Sequence, residues 1–275
     1  MDTDNDDRSR ELAQWSLRLF DGWQIRRDDH VIDVAWRERR LLSLLALQGE
    51  RPRTYLAGLL WPDSDESRAL GSLRAAVWRI QHTLPGLVTD GHGPLSLGAR
   101  AHVDVHDMFD VVRRISAGLE AEDPRDALEA LRHGDLLPGS YDDWVVYERE
   151  RLQQLRLRAL ELLADQLTAR GDVDHALEAA MSAVAIEPLR ESAHRALIRV
   201  HLLVGNHVDA VRVYRTFRHR LRAEMGITPS PQIIDLIRPL LAVRAAGDVV
   251  GRPVALQPAG RRDRRQARGN APYLE

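Results

Sequence analysis

The sequence predicts a mainly α chain with a small β component: a winged helix-turn-helix domain followed by a tetratricopeptide-like all-α domain. Three observations predict it. Short runs with period-two alternation occur in "WSLRLFDGWQIRRDDHVIDV" near the start and again in "LVTDGHGPLSLG". Helical periodicity occupies Trp36 to Leu84 and returns after His102 almost to the end. Inside that second stretch residues recur at a spacing of 34: Gly171 with Gly205, Ala176 with Ala210, Leu177 with Val211, and Leu163 with Leu197. That is the tetratricopeptide period, in which a Gly ends the first helix, a small Ala lets the second pack close, and Pro188 closes the unit.

The elements follow in order. Residues 1–11 are polar and acidic, and a disordered amino terminus is expected. A domain over 12–104 comes next. Leu17 and Leu19 alternate with Ser16 and Arg18, and the pairs Asp21-Gly22 and Asp28-Asp29 are turn formers, so short antiparallel strands are expected. From Trp36 onward Leu41, Leu44, Leu45 and Leu47 share one helix face, which Gly49 closes. "TYLAGLLWP" is a second short helix with Thr54 as its N-cap, Pro62 after its end and Trp61 as a core residue. The third helix starts after "DSDE", where Asp63 and Glu66 stand at capping-box spacing, and Pro85-Gly86 stops it. "LVTDGHGPLSLG" reads as a hairpin with Asp90-Gly91 and Gly93-Pro94 at its tip. The domain over 105–244 is helical, punctuated by Gly171, Pro188, Gly205, Gly226 and Pro229. There Trp144 and Tyr147, at i and i+3, are expected to anchor the long helix onto the solenoid. From Ala245 the composition collapses into Gly, Pro, Arg and polar residues, and a disordered tail is expected over 245–275.

Composition narrows the function classes. The chain has 275 residues, room for two ordinary domains, and only 5% aromatics, so its cores are built from Leu, Val and Ala. It contains no cysteine, which removes disulfides, thiol catalysis and cysteine metal sites. No run approaches the length of a membrane span, and "MDTDNDDRSR" lacks the apolar stretch of a secretory signal, so no membrane partner and a cytoplasmic location are expected. The net charge is −2, and all 39 basic residues are Arg. Global charge therefore announces no polyanionic partner; any such site has to be local.

One segment is locally unlike the rest. Ser67–Leu84 carries Arg68, Arg74 and Arg79 and no acid, in a chain with 41 acids. On a helical wheel centred on Leu73, Leu70, Val77, Ile80 and Leu84 fall within about 60° and form the apolar stripe. The far side holds Arg68, Gly71, Ala75, Trp78, Arg79 and His82, with Ser72 and Arg74 on the flanks. A plain solvated helix would mix Glu with its Arg. Gly71 also costs about 1 kcal/mol of helix stability relative to Ala. Both features fit a polyanion that comes close: the DNA major groove admits one helix, Arg pairs with guanine in a bidentate way, and small residues let the backbone approach. Arg68, Ser72, Arg74, Ala75 and Arg79 are the candidates for the groove, with His82 beside them and Trp78 in a packing role. Thr54 and Tyr55 open a helix whose amides suit a phosphate, a plain N-cap being the competing reading. His92 and Arg100 are the basic residues of the wing. Arg39 and Arg40 read as part of a surface salt-bridge set.

Strands, two helices, a basic helix and a hairpin is the order of a winged helix-turn-helix, and at this point a family resemblance is close. "LRLFDGWQI", "RERRLLSLLALQGERP", "YLAGLLWPD" and "SLRAAVWRIQHTL" resemble the OmpR-type DNA-binding domain of the Streptomyces antibiotic regulatory protein family. "LLPGSYDDWVVYERERLQQL" and "VYRTFRHRLRAEMGITPSPQI" resemble the bacterial transcriptional activator domain that follows it there. The resemblance covers about Trp15 to Leu241. It implies a small, nucleoid-associated, sequence-specific transcriptional activator of a secondary-metabolite cluster, which binds double-stranded DNA at direct repeats as a dimer and recruits RNA polymerase holoenzyme. The wing departs from the family pattern, with acidic Asp90 and no Tyr at its tip. The domain over Leu12–Val105 has 12 Arg against 11 acids, which leaves the third helix to supply most of the specific contact.

Two other classes remain open on the residues alone: a tetratricopeptide-like adaptor that binds peptides, and a ligand-gated repressor with an effector on the concave face of the solenoid. No Walker-type phosphate loop and no local nucleophile–histidine–acid signature stands in the sequence, so no cofactor is expected and an enzyme is the last-ranked class. "HVDVH" puts His102 and His106 around Asp104, but it reads as a strand leaving the wing, which spreads such ligands apart, and no metal site is expected.

Overall fold

The structure is a computed structural model. It describes residues 15–250 apart from 29, 90, 92, 120–122 and 133, with backbone only at 242–250. The expected amino-terminal segment 1–11 and most of the expected tail lie outside the described residues. Trp15–Arg18 (β1), Gln24–Arg27 (β2), His30–Ile32 (β3) and Ala101–Val103 (β4) form a sheet in the order β3-β2-β1-β4. The alternation expected in β1 is present: Trp15 and Leu17 are buried, Ser16 and Arg18 exposed. The first three strands pair antiparallel as expected, whereas β4 lies parallel to β1. "HVDVH" is therefore not all strand. The strand ends at Val103 and a helix begins at Asp104.

Between β3 and β4 lie Trp36–Gln48 (α1), Arg53–Leu60 (α2), Glu66–Thr83 (α3) and the hairpin. The hairpin closes through the Val88–Leu97 bridge, with Leu95 paired to Arg51 in the α1–α2 connection. Two caps differ from expectation. The N-cap of α3 is Asp65, whose carboxylate accepts the Arg68 N–H at 2.9 Å, not Asp63. Pro52 precedes α2, so Thr54 sits inside the first turn and caps nothing. Proline suits that boundary because it has no N–H to leave unbonded there.

The helical part comprises Asp104–Ser116 (α4), Pro124–Leu131 (α5), Asp143–Arg170 (α6), Val173–Ile186 (α7), Glu191–Leu203 (α8), His207–Met225 (α9) and Pro231–Val250 (α10). The 34-residue repeat is real in three dimensions. Gly171 and Gly205 end α6 and α8 with φ of 79° and 72°, a conformation that suits glycine. Leu163, Leu197, Ala176 and Ala210 are all buried. An ion pair joins Asp165 to Arg199, itself 34 residues on, at 3.2 Å. The α10 backbone runs to Val250, so helix extends past Ala245, where a tail was expected.

The two parts share one core. A continuous set of buried apolar residues runs from Trp15 to Val200, across the boundary expected at 104, and a second set forms around Phe217, Ile233 and Ile237. The backbone crosses the seam as well. Beyond β1, Leu137 N–H donates to Leu19 at 2.8 Å, Asp21 N–H donates to Asp135 at 2.9 Å, and Phe20 bridges Leu136. Gly134 lets the Asp21 carboxylate come close there: a Cβ would lie 1.7 Å from it, so any larger residue would push that side chain aside. Trp144 anchors α6 to the amino-terminal part rather than onto the solenoid. It is buried beside Trp23, Arg40 and Ser43, while Tyr147 is 64% exposed. Spacing of i and i+3 puts two residues near one another on a helix, but the seam covers only the Trp144 side.

His194 in α8 is a buried group with a consequence for stability. Its Nε2–H donates to the Pro188 carbonyl at 3.0 Å, its ring lies 4.3 Å from that of Phe217, and Nδ1 has no partner. Burial pushes its pKa below the ordinary 6.5, helped by Arg220 and opposed by the Pro188 carbonyl and Glu191. Below about pH 6.5 the unfolded chain takes up a proton that the folded chain resists, so stability is complete above that pH and falls on acidification. Urea unfolding at pH 7.5 and 5.5 checks this: the wild type loses more stability on acidification than His194→Gln, and an equal loss in both would assign the slope to other groups.

Candidate nucleic-acid interface

The face of α3 turned inward consists of Ala69, Leu73, Ala76, Val77 and Ile80. Leu70, expected in the stripe, is only half-buried, and two alanines take its place. The reason is close packing: α3 lies against α2, and small side chains let the two helices approach. Arg68, Arg74, Ala75, Trp78 and His82 are exposed, and Gly71, Ser72 and Arg79 half-buried.

The three arginines have different surroundings. Arg79 donates through Nε to Oε1 of Glu38 in α1, a carboxylate that is only 4% exposed. Its other oxygen, Oε2, is buried without a partner, so Arg79 is the counter-charge to a buried acid. Arg68 stands 3.9 Å from its own cap, Asp65, with both side chains well exposed, a geometry worth little. Arg74 makes no ion pair among the described residues, and its guanidinium lies over the open surface at Gly71. His82 Nδ1–H donates to the Trp78 carbonyl at 2.9 Å and its ring stacks 4.0 Å from that indole. His82 is exposed, and this bond engages its Nδ1 and not its Nε2.

The flanking candidates are spread around α3. Thr54 is exposed in the first turn of α2, and Tyr55 donates its hydroxyl to Gln48 at 2.9 Å. Arg100 lies at the foot of the hairpin, where its carbonyl accepts from the Trp15 N–H, well away from the tip. His92 lies outside the described residues. Sequence reasoning missed Arg53, the first residue of α2. It donates to the carbonyls of Gly91 and Gly93 and so ties that part of the hairpin to the first turn of α2. No sequence signal could have found this, since the partners are 38 and 40 residues away. His102 pairs with Asp107 at 3.0 Å, while His106 bonds the Ala46 carbonyl at 2.8 Å. The two histidines therefore serve separate partners.

The result is a helix whose exposed face is basic and carboxylate-free beyond its first turn, with Arg74 making no ion pair among the described residues and Arg68 held only at 3.9 Å by its cap. A helix of this width fits a groove of about 12 Å. Removing Arg79 strands a buried carboxylate, so Arg79→Ala is expected to cost about 2–3 kcal/mol, less than a fully buried pair because the arginine is part-exposed. Arg74→Ala is expected to stay within about 0.5 kcal/mol of wild type. Chemical denaturation of the two variants checks the contrast.

Comparison with known proteins gives this geometry a context. The bacterial transcriptional activator domain family matches residues 103–241. The chain is 28% identical to the regulatory protein AfsR of Streptomyces griseus over 231 residues, 75% of this chain but only 23% of AfsR. It is 23% identical to the transcriptional regulatory protein MoaR1 of Mycobacterium bovis (strain BCG / Pasteur 1173P2) over 234 residues, covering 78% of this chain and 75% of that one. In fold it is similar to Mycobacterium tuberculosis EmbR, solved in complex with a low affinity phosphopeptide: the match has a TM-score of 0.64 over 86% of this chain and 70% of that chain, at 20% identity. The chain thus spans less than a quarter of AfsR and about three quarters of MoaR1. With the activator-domain match over half its length, and an AfsR relative and EmbR-like fold beside it, the chain belongs to the bacterial transcriptional activator domain family, in the architecture of the Streptomyces antibiotic regulatory proteins.

Proposed function

We propose that the chain is a sequence-specific DNA-binding transcriptional activator whose α3 enters the major groove. The observation that carries the reading is Arg74: an exposed guanidinium without an ion pair among the described residues, on a helix face with no carboxylate, beside Gly71 and Ala75. Arg74 reads a base edge, and Arg68, held only weakly by its cap, reads a base or holds a phosphate. Ser72, Ala75 and His82 line the approach. Arg79 acts chiefly through Glu38, keeping α3 seated on α1. Thr54 and the first turn of α2 lie against the sugar-phosphate backbone, with Tyr55 fixing that turn through Gln48. The hairpin tip that carries His92 follows the next stretch of backbone, and Arg100 reaches only flanking DNA. The names of AfsR and MoaR1 support a regulatory role. The weak positive excess of the amino-terminal part supports binding as a dimer on direct repeats, with two helices sharing the work. Recruitment of RNA polymerase holoenzyme to a secondary-metabolite promoter completes the proposal.

Anisotropy with a duplex selected from random sequence tests the groove assignment. Arg74→Ala is expected to weaken the selected duplex about tenfold to a hundredfold, from the 1–3 kcal/mol of a bidentate base contact. Unchanged affinity would overturn the role of Arg74, and no binding by the wild type at low salt, where the phosphate contribution is largest, would overturn the whole reading. Gly71→Ala separates folding from function. A Cβ there meets only the Arg74 guanidinium, at 3.8 Å, so the variant gains up to about 1 kcal/mol of stability while losing DNA affinity. Transcription in vitro with added protein distinguishes activation from repression.

A further inference from the structure

We propose that the cavity at the seam between the amino-terminal and helical parts is a binding site for a small planar aromatic carboxylate. The cavity has a volume of about 170 Å³. A cavity of about 150 Å³ suffices for benzene, so this one, which opens to solvent on one side, takes one ring inside and a second at its mouth. Its walls include three indoles brought from three segments: Trp23 before β2, Trp36 at the start of α1, and Trp144 at the start of α6. Flat aromatic walls select a flat ligand.

The polar groups point to a carboxylate. Arg39 and Arg40 line the cavity and no acidic residue does. Arg40 is committed to Asp142, with both groups mostly buried. Arg39 stacks over Trp23 at 4.9 Å and pairs outward with Asp33, whose side chain is 95% exposed. The Arg39 Nε–H is taken by the Val34 carbonyl at 2.5 Å, so the exchange is confined to the terminal nitrogens. A pair that open to water contributes little, and a ligand carboxylate replaces Asp33 there at small cost. The second observation is independent. Trp144 is buried, and its Nε1–H has no acceptor among the described residues. The Trp23 N–H, by contrast, is satisfied by Ser43 Oγ at 3.0 Å. An unmet buried donor is costly, and in the proposed complex the Trp144 indole, closed off in the free protein, turns this N–H toward a ligand oxygen.

The site does not depend on the DNA-binding reading, and its test uses the free protein. Calorimetry of the full chain with 2-naphthoate is expected to show one saturable site. Naphthalene-2-carboxamide, which keeps the shape without the charge, and cyclohexanecarboxylate, which keeps the charge without the aromatic ring, are each expected to bind at least tenfold more weakly. Arg39→Met is expected to weaken 2-naphthoate at least tenfold and leave the carboxamide unchanged. Trp36→Ala, at a residue 57% exposed and therefore dispensable for folding, is expected to weaken both aromatic probes. Tyr147→Ala, outside the cavity, leaves binding as it was. The absence of a saturable site for 2-naphthoate, equal affinity for the carboxamide, or affinity indifferent to Arg39→Met and Trp36→Ala would each overturn the proposal. A thermal melt of each variant confirms that a lost site is not a lost fold.

Discussion

One carboxylate organises the junction on which the rest of the molecule is built. Asp104, the first residue of α4, accepts the backbone N–H groups of Leu19 and Phe20 at 2.9–3.1 Å. It does so at the point where the chain after β1 leaves the sheet and pairs with Leu136 from the helical part. Backbone donors in that position have no ladder partner on the Asp104 side, and leaving them unmet inside a core would be expensive. The same residue thus ends β4, starts α4, and closes the edge that the α5–α6 connection covers. Arg149 of α6 holds that connection from the other side, donating to the carbonyls of Leu136 and Leu137.

Helix α1 carries this constraint to α3. It touches the helical part through Arg40 to Asp142 and Gln48 to Glu148, and it touches α3 through Glu38 to Arg79. Glu148 is itself buried and accepts from both Gln48 and Arg151. Such groups are not cheap sources of stability, because desolvation offsets most of their attraction. Their effect is on geometry: each charge meets its partner in this arrangement, so together they fix how α1 sits between its two neighbours. The exposed face of α3 is therefore oriented relative to the helical part by side chains that contribute little to binding themselves.

Much of this was legible in the sequence, and the limits have physical causes. Periodicity located the helices, and the 34-residue spacing located the repeated helix pairs, because both are local patterns that folding preserves. Caps were misplaced by two residues: Asp63, Asp65 and Thr54 are all chemically able to cap, and the backbone conformation decides among them. The role of Arg79 was hidden because its partner Glu38 is 41 residues away on another helix. Trp144 was read as packing on its own domain because a sequence shows that a residue is apolar, not which of two neighbours covers it. The strand in "HVDVH" is legible, but its parallel pairing is not, since its partner β1 lies at the far end of the amino-terminal part.

The hairpin beside α3 has one more property. A Gly-rich tip of this kind would ordinarily fluctuate, and a partner would have to freeze it at a cost of about 1 kcal/mol or more per ordered residue. Arg53 spans it with two hydrogen bonds to glycine carbonyls, and Arg51 pairs with Leu95 behind it. The carbonyls of Gly91 and Gly93 are held before anything arrives. A surface that docks with its loop already set meets its partner as a rigid body, so less of the contact free energy is spent on ordering, and encounter does not wait on a slow rearrangement. On the proposed DNA-binding reading, Arg53 touches no ligand itself yet sets how quickly such a contact forms.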